Sequence, residues 1–232
     1  MVANARADAA VVVWRHPKPI GAAGRCIGHT DLPVDPRKAK RLAHRIRRYA
    51  RVQRVWQSLG VTRPDGTRPD MTRPEMTHTQ PRQPAATQSN PQRAPARPLA
   101  QCQVYTSPLR RSADVGRWLR RWGWRHHIDA ALIEIDFGAW DGATWAQIGE
   151  PAVTAWCADF AHYAGHGGET LAALFERCSA WAAAAPTPAV RCVVGHAGWI
   201  NAAQFVSAGQ PLPRNASEWP AAVKFGQRLA VF

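Results

Sequence analysis

Along the chain, short continuous apolar runs alternate with longer stretches in which apolar residues recur every three or four positions. The first run, Val11-Val12-Val13-Trp14, stops at Arg15-His16. Four apolar residues without alternation fit a strand covered on both faces of a sheet. Asp35-Pro36 then supplies a helix N-cap and a proline for the first helical position. Ala39, Leu42, Ala43, Ile46 and Ala50 follow at helical spacing, and the opposite face is almost wholly Lys and Arg. A second strand is expected over 102–106, with Ser107-Pro108 as another N-cap and N1 pair. A third, over 190–194, reaches Gly195-His196 before an apolar helix. Strands alternating with helices predict an α/β fold of three layers, α/β/α, around a mostly parallel central sheet.

Residues 61–100 break this pattern. They are rich in Pro, Thr, Gln and Arg and poor in large apolar side chains, so they bury too little surface to offset the entropy of ordering. We read them as a low-complexity, disordered insertion within a single domain spanning 1–232. The degenerate repeat TRPDGTRPDMTRPEM inside it is too brief and too proline-rich for a solenoid. An expanded surface loop is the preferred reading; a tether or an RNA-attracting arm are the alternatives.

Charge and cysteine usage narrow the function classes. Thirty Lys and Arg against sixteen Asp and Glu give a formal net charge of +14, which favours an anionic partner. The five cysteines are widely spaced without a CxxC pair, which argues against a disulfide framework or a zinc site and for a reducing compartment. The first ten residues lack an apolar signal region and no run approaches a membrane span, so the expectation is a cytoplasmic protein without membrane contact. Oligomeric state is not readable from the sequence.

The three expected strands each deliver a cationic or imidazole group at the carboxyl end: Arg15-His16, Arg110-Arg111 and His196. Ligands of open α/β sheets bind outside the carboxyl ends of the strands. If the three ends are neighbours, they form one crevice. Helix N-termini at that edge would add backbone N–H donors, and Gly21, Gly24 and Gly28 would let the backbone approach a ligand. The inferred ligand is a phosphoryl group.

The motifs VVVWRHP, TSPLRRSA, LIEIDFGAWDG, HGGETLAALFER and VVGHAGWIN occur in the order found in the histidine phosphatase superfamily. The chain resembles that family over nearly its whole length outside 61–100, which implies the phosphoglycerate mutase-like fold. GRCIGHTDLPV is similar to a stretch common in α-ribazole phosphatases of cobalamin synthesis, with Ile27 where tyrosine is frequent. The resemblance implies a phosphomonoester hydrolase acting on a small phosphorylated metabolite, α-ribazole 5′-phosphate among the candidates, with no cofactor and no metal.

Residue by residue, the resemblance makes His16 the nucleophile, Glu134 the acid and base, and His196 the second catalytic histidine. Arg15 and Arg111 become phosphate clamps, and Cys26, Ile27, Gly28 and Ala197 further substrate contacts. Asp136 is a fallback acid, two residues from Glu134 and on the same side if that stretch is extended. A neutral imidazole avoids the repulsion that a phosphate dianion exerts on an anionic nucleophile, and a backbone carbonyl on its other nitrogen would fix the tautomer. Arg15, Arg111 and His196 would then hold the equatorial oxygens.

Departures from the family pattern fall beside the nucleophile: Pro17 stands where glycine is usual, and Lys18-Pro19 make the rim more basic. Pro17 keeps the carbonyl that could orient His16 while removing an N–H. Glu169 or Thr170 of HGGET is read as a structural cap before the helix that carries Arg177, and Trp140 and Trp145 as packing near the site or core. Two rival functions remain: a phosphoglycerate mutase-type phosphotransferase, and a non-catalytic basic scaffold that binds RNA. The second rests on the basic face over 37–54 and the basic insertion, but no RNA-binding motif accompanies them, and RWLRRWGWRHH fits an amphipathic helix end equally well.

Overall fold

The computed structural model describes residues 11–58, 102–184 and 191–232. The insertion expected over 61–100 lies outside the described residues. Five strands form one sheet: β1 (Val11–Arg15), β2 (Gln103–Thr106), β3 (Arg125–Ile128), β4 (Arg191–Gly195) and β5 (Arg228–Val231). Their order is β3-β2-β4-β1-β5, and every pairing is parallel except that of β5 with β1. The described helices are α1 (Pro36–Ser58), α2 (Arg110–Arg121), α3 (Trp145–Ile148), α4 (Glu150–Ala158), α5 (Leu171–Ala183) and α6 (Ala197–Ser207).

The continuous apolar run of β1 is explained by two cores. Val11 and Val13 pack with Val193, with Leu171, Leu174 and Trp181 of α5, and with Trp199 and Ile200 of α6. Val12 and Trp14 face the other way, onto Ala39, Leu42, Ala43 and Ile46 of α1 and Val115 and Leu119 of α2. Successive side chains of a strand point to opposite faces, so a strand with helices on both sides has no polar face to show. The three expected layers are present.

Register brings the strand ends together. Val194 of β4 pairs with Trp14 of β1 on one side and with Thr106 of β2 on the other. Arg15-His16, Ser107 and Gly195-His196 therefore leave the sheet side by side at its carboxyl edge.

Local expectations fare unevenly. Asp35 caps α1, its Oδ1 accepting from Arg37 N at 2.8 Å. The Ser107-Pro108 cap is corrected: α2 starts at Arg110 and its N-cap is Leu109, whose side chain accepts no bond. The Ser107 hydroxyl is instead 2.7 Å from His196 Nε2, since a buried imidazole is a better partner than a helix end that begins three residues later. RWLRRWGWRHH is a helix end only in its first half. Gly123, at φ 84°, turns the chain out of α2, with its N–H on Arg120 O, and Arg125–Ile128 becomes an edge strand. The stretch around Glu134 pairs with no strand; it leaves a short 3₁₀ turn at Ala130–Leu132 and runs under α6.

Candidate active site

His16 is buried where β1 ends, its backbone N–H donating to Gly195 O at 3.0 Å. Its Nδ1 lies 2.7 Å from Pro17 O. A carbonyl can only accept, so Nδ1 carries the proton and Nε2 keeps its lone pair. Burial, then the Arg111 charge, holds the imidazolium form well below the ordinary histidine range, against the contrary pull of the Pro17 carbonyl. His16 is thus a neutral imidazole with one bare nitrogen at neutral pH.

The His196 ring stands 4.9 Å from that of His16, centroid to centroid. Arg111 Nε donates to His196 Nδ1 at 3.3 Å, and an arginine cannot accept, so the proton of neutral His196 is on Nε2 and goes to Ser107 Oγ. Burial, followed by His16 and Arg111, keeps it neutral. Both ring nitrogens are therefore occupied in this arrangement, in which His196 bridges Ser107 and Arg111.

Arg111 is almost wholly buried, with Nη1 on Thr30 O at 2.7 Å and Nη2 on Gly28 O. Those bonds use three of its five N–H groups and leave two in a fixed fork. Arg15 is anchored differently. Its Nη1 donates to Val223 O at 2.6 Å, its Cζ sits 3.8 Å from the Phe225 ring centroid, and its Nε is buried with no partner among the described residues.

Glu134 is buried beneath α6. Oε1 accepts from the backbone N–H of Ile135 and Trp199, at 3.1 and 3.2 Å, and Oε2 from Gly198 N at 3.2 Å. The first turn of α6 was expected to offer its N–H groups to a phosphate; Glu134 takes two of them. Among the described residues, Ala197 N has no protein acceptor. Likewise Arg110 N, at the start of α2, donates to Asp31 Oδ1 at 2.6 Å. Helix N-termini attract anions, and here carboxylates of the protein supply them.

The loop after β1 is held by a residue that sequence reasoning passed over. Asp141 accepts from the N–H groups of Gly28, His29 and Thr30 and from the Thr30 hydroxyl. It thereby fixes the two carbonyls that hold Arg111. Gly28 has no room for a side chain, since a Cβ would strike Ile135 O and the Asp141 carboxylate. Its small size serves this packing, and the positive φ of Gly21 and Gly24 serves turns. Cys26 is only 1% exposed and its thiol is pushed up to about 12, mainly by burial. Its backbone pairs with the 142–143 segment, so it braces the loop. Ile27 is half-buried.

The remaining candidates lie apart from the imidazoles. Asp136 receives Gly138 N at 2.8 Å and sits 3.9 Å from His29 Nδ1, so it orders a turn. Thr170 caps α5 through Ala173 N, and Glu169 forms a two-pronged pair with Arg177 at 2.9 and 2.8 Å. Trp140 is buried among Trp156, Tyr163 and His166, while Trp145 is exposed. Ser107, Asp141 and Phe225 are the additions that the structure makes. Ser107 and Asp141 lie in motifs quoted from the sequence, TSPLRRSA and LIEIDFGAWDG, whereas Phe225 lies in none.

Residues 88–215 match the family model described as histidine phosphatase superfamily (branch 1), a stretch that includes Arg111, Glu134 and His196 and begins after His16. No curated protein matches the chain. Among solved structures, a protein titled mycobacterial hydrolase 1 aligns with TM-score 0.63 and 20% identity, covering 97% of this chain and 91% of its own. A mycobacterial glucosyl-3-phosphoglycerate phosphatase solved with VO3 aligns at TM-score 0.61 and 22% identity, covering 97% and 92%. TTHB049 from Thermus thermophilus aligns at 0.56 and 19%, covering 96% and 92%. At these identities the likeness is one of fold.

Proposed function

Because the chain belongs to the histidine phosphatase superfamily (branch 1), we propose that it hydrolyses a small phosphomonoester through a phosphohistidine on His16. The observation that carries this reading is the tautomer: with Nδ1 committed to Pro17 O, Nε2 of a buried neutral imidazole is free to act as a nucleophile, and Arg111 and Arg15 are near enough for their charges to act on the ring.

In the first half-reaction His16 Nε2 attacks phosphorus and the bond from phosphorus to the ester oxygen breaks. Arg15 and Arg111 bind the equatorial oxygens, and Arg15 Nε supplies a donor that has no acceptor among the described residues. The Glu134 carboxylate takes up the proton that a monoanionic ester brings and passes it to the departing alkoxide. Oε2 accepts one backbone N–H where Oε1 accepts two, so Oε2 is the oxygen with capacity left for that proton. In the second half Glu134 takes a proton from water, the oxygen attacks phosphorus, the P–N bond breaks and inorganic phosphate leaves. His196 and Ser107 hold Arg111 in place throughout.

For the substrate, two small molecules are the starting candidates. GRCIGHTDLPV supports α-ribazole 5′-phosphate, and the glucosyl-3-phosphoglycerate phosphatase among the structural neighbours supports a phosphoglycerate derivative. The test is phosphate release from a panel containing both, with 3-phosphoglycerate and p-nitrophenyl phosphate, by wild type and His16→Ala without added metal. The expected result is turnover by wild type alone, the variant falling by at least about 10³-fold. Hydrolysis of no ester, or equal hydrolysis by the variant, contradicts the reading. Phosphoryl transfer to an organic acid in preference to water would favour the mutase instead.

A further inference from the structure

We infer that the cleft between α1 and the 224–227 turn binds a second anionic group, carried by the leaving group of the phosphomonoester. This rests on the phosphatase reading. Arg45, Lys224, Phe225, Gly226 and Gln227 line the cleft. Phe225 belongs to both places, since its ring centroid is 5.7 Å from that of His16 and 40% of the residue remains exposed. A leaving group departing from phosphorus on His16 can lie along that ring and enter the cleft.

Two features make the cleft a built site. Among the described residues no carboxylate lines it, and neither Arg45 nor Lys224 is in an ion pair. Two adjacent unpaired cations repel each other and gain from an anion between them. The turn is also fixed to the nucleophile's strand. Gly226 N donates to Arg15 O at 2.9 Å, Arg15 N to Gln227 O at 3.0 Å, and Arg15 Nη1 to Val223 O. Lys224 and Gln227 close it by exchanging bonds, Gln227 N to Lys224 O and Lys224 N to Gln227 Oε1. Gly226, at φ 71°, leaves space for the Arg45 guanidinium, whose Nη1 would be 3.1 Å from any Cβ there. The distance from nucleophile to second cationic site is thus set by backbone bonds. The ligand class is a phosphomonoester with a carboxylate or second phosphate on the far side of one ring's breadth. A nucleoside monoester without a second anion leaves the two cations unsatisfied.

Matched pairs test this. 4-Carboxyphenyl phosphate is compared with its methyl ester for a carboxylate, and butane-1,4-diol bisphosphate with butyl phosphate for a phosphate. The wild type should prefer the charged member of at least one pair by roughly fivefold to thirtyfold in kcat/KM. The double variant Arg45→Gln/Lys224→Gln should bring that ratio close to one. Arg120→Gln/Arg121→Gln, which removes the same charge at the far end of α2, should keep it. Wild-type turnover without a charge preference, or a preference that the first variant retains, overturns the inference while leaving the phosphatase reading intact. If no ester turns over, that reading fails, and calorimetric binding of the same esters to His16→Ala decides the cleft: equal affinity for both members of each pair overturns the inference.

Discussion

Asp141 shows how a side chain that touches no phosphate can govern the site. Its carboxylate collects the N–H groups of residues 28–30, and the carbonyls of that loop grip Arg111. Asp141→Asn replaces a charged acceptor of four donors by a neutral amide with one acceptor oxygen. We expect kcat/KM to fall on the order of tenfold to a hundredfold, with weaker inhibition by inorganic phosphate. A loss of thermal stability with unchanged kcat/KM and phosphate inhibition would show that Asp141 serves folding alone. The residues that touch phosphorus in this scheme were legible in the sequence, because their motifs survive the folding of the chain around them. Asp141 and Ser107 were not. Their roles depend on partners 111 to 113 and 89 positions away in sequence, and an aspartate before glycine or a serine before proline has stronger local readings as a turn or a cap.

Helices and strands were legible in proportion to how far their ends are decided locally. Asp35 caps α1 as expected from a residue that needs only its own backbone. Thr170 likewise caps α5 with Ala173 N at 3.1 Å. Thr170→Ala should lower stability by about 1 kcal/mol, measured by denaturant unfolding, with kcat unchanged. A fall in kcat without a change in stability would move Thr170 from cap to catalysis. β3 and β5 escaped notice because both are short edge strands, Arg125–Ile128 and Arg228–Val231, with mostly exposed side chains. An edge strand needs little apolar pattern, since backbone pairing with β2 or β1 does the work. On the α1 and α2 surface, Lys40 and Arg121 lie over Trp118, and Arg47 over Trp122. On this surface the interleaved aromatic and basic residues therefore pack against one another within the protein.

The whole molecule combines a strong positive charge with histidines kept neutral. Burial holds His16, His126, His166 and His196 below the ordinary range, His126 at about 4. Between that range and pH 6.5 the unfolded chain binds protons that the folded chain refuses, so stability must fall as pH falls. The melting temperature is expected to decline from pH 6.5 to pH 5, above the titration of ordinary carboxylates, and His126→Gln should flatten the slope. A melting temperature constant across that interval would contradict the burial of these rings. No helix among the described residues is long and apolar enough to cross a membrane.

The central claim, a phosphoryl group carried by His16 Nε2, is tested most directly by rapid acid-free quenching of wild type with a turning-over phosphomonoester, followed by peptide mapping of the phosphorylated residue. The account predicts an acid-labile, base-stable phosphoramidate on the peptide containing His16, enriched in Glu134→Gln if that variant slows dephosphorylation more than transfer, and absent in His16→Ala. A phosphoryl group found on another residue, or steady turnover with the label on none, would contradict it.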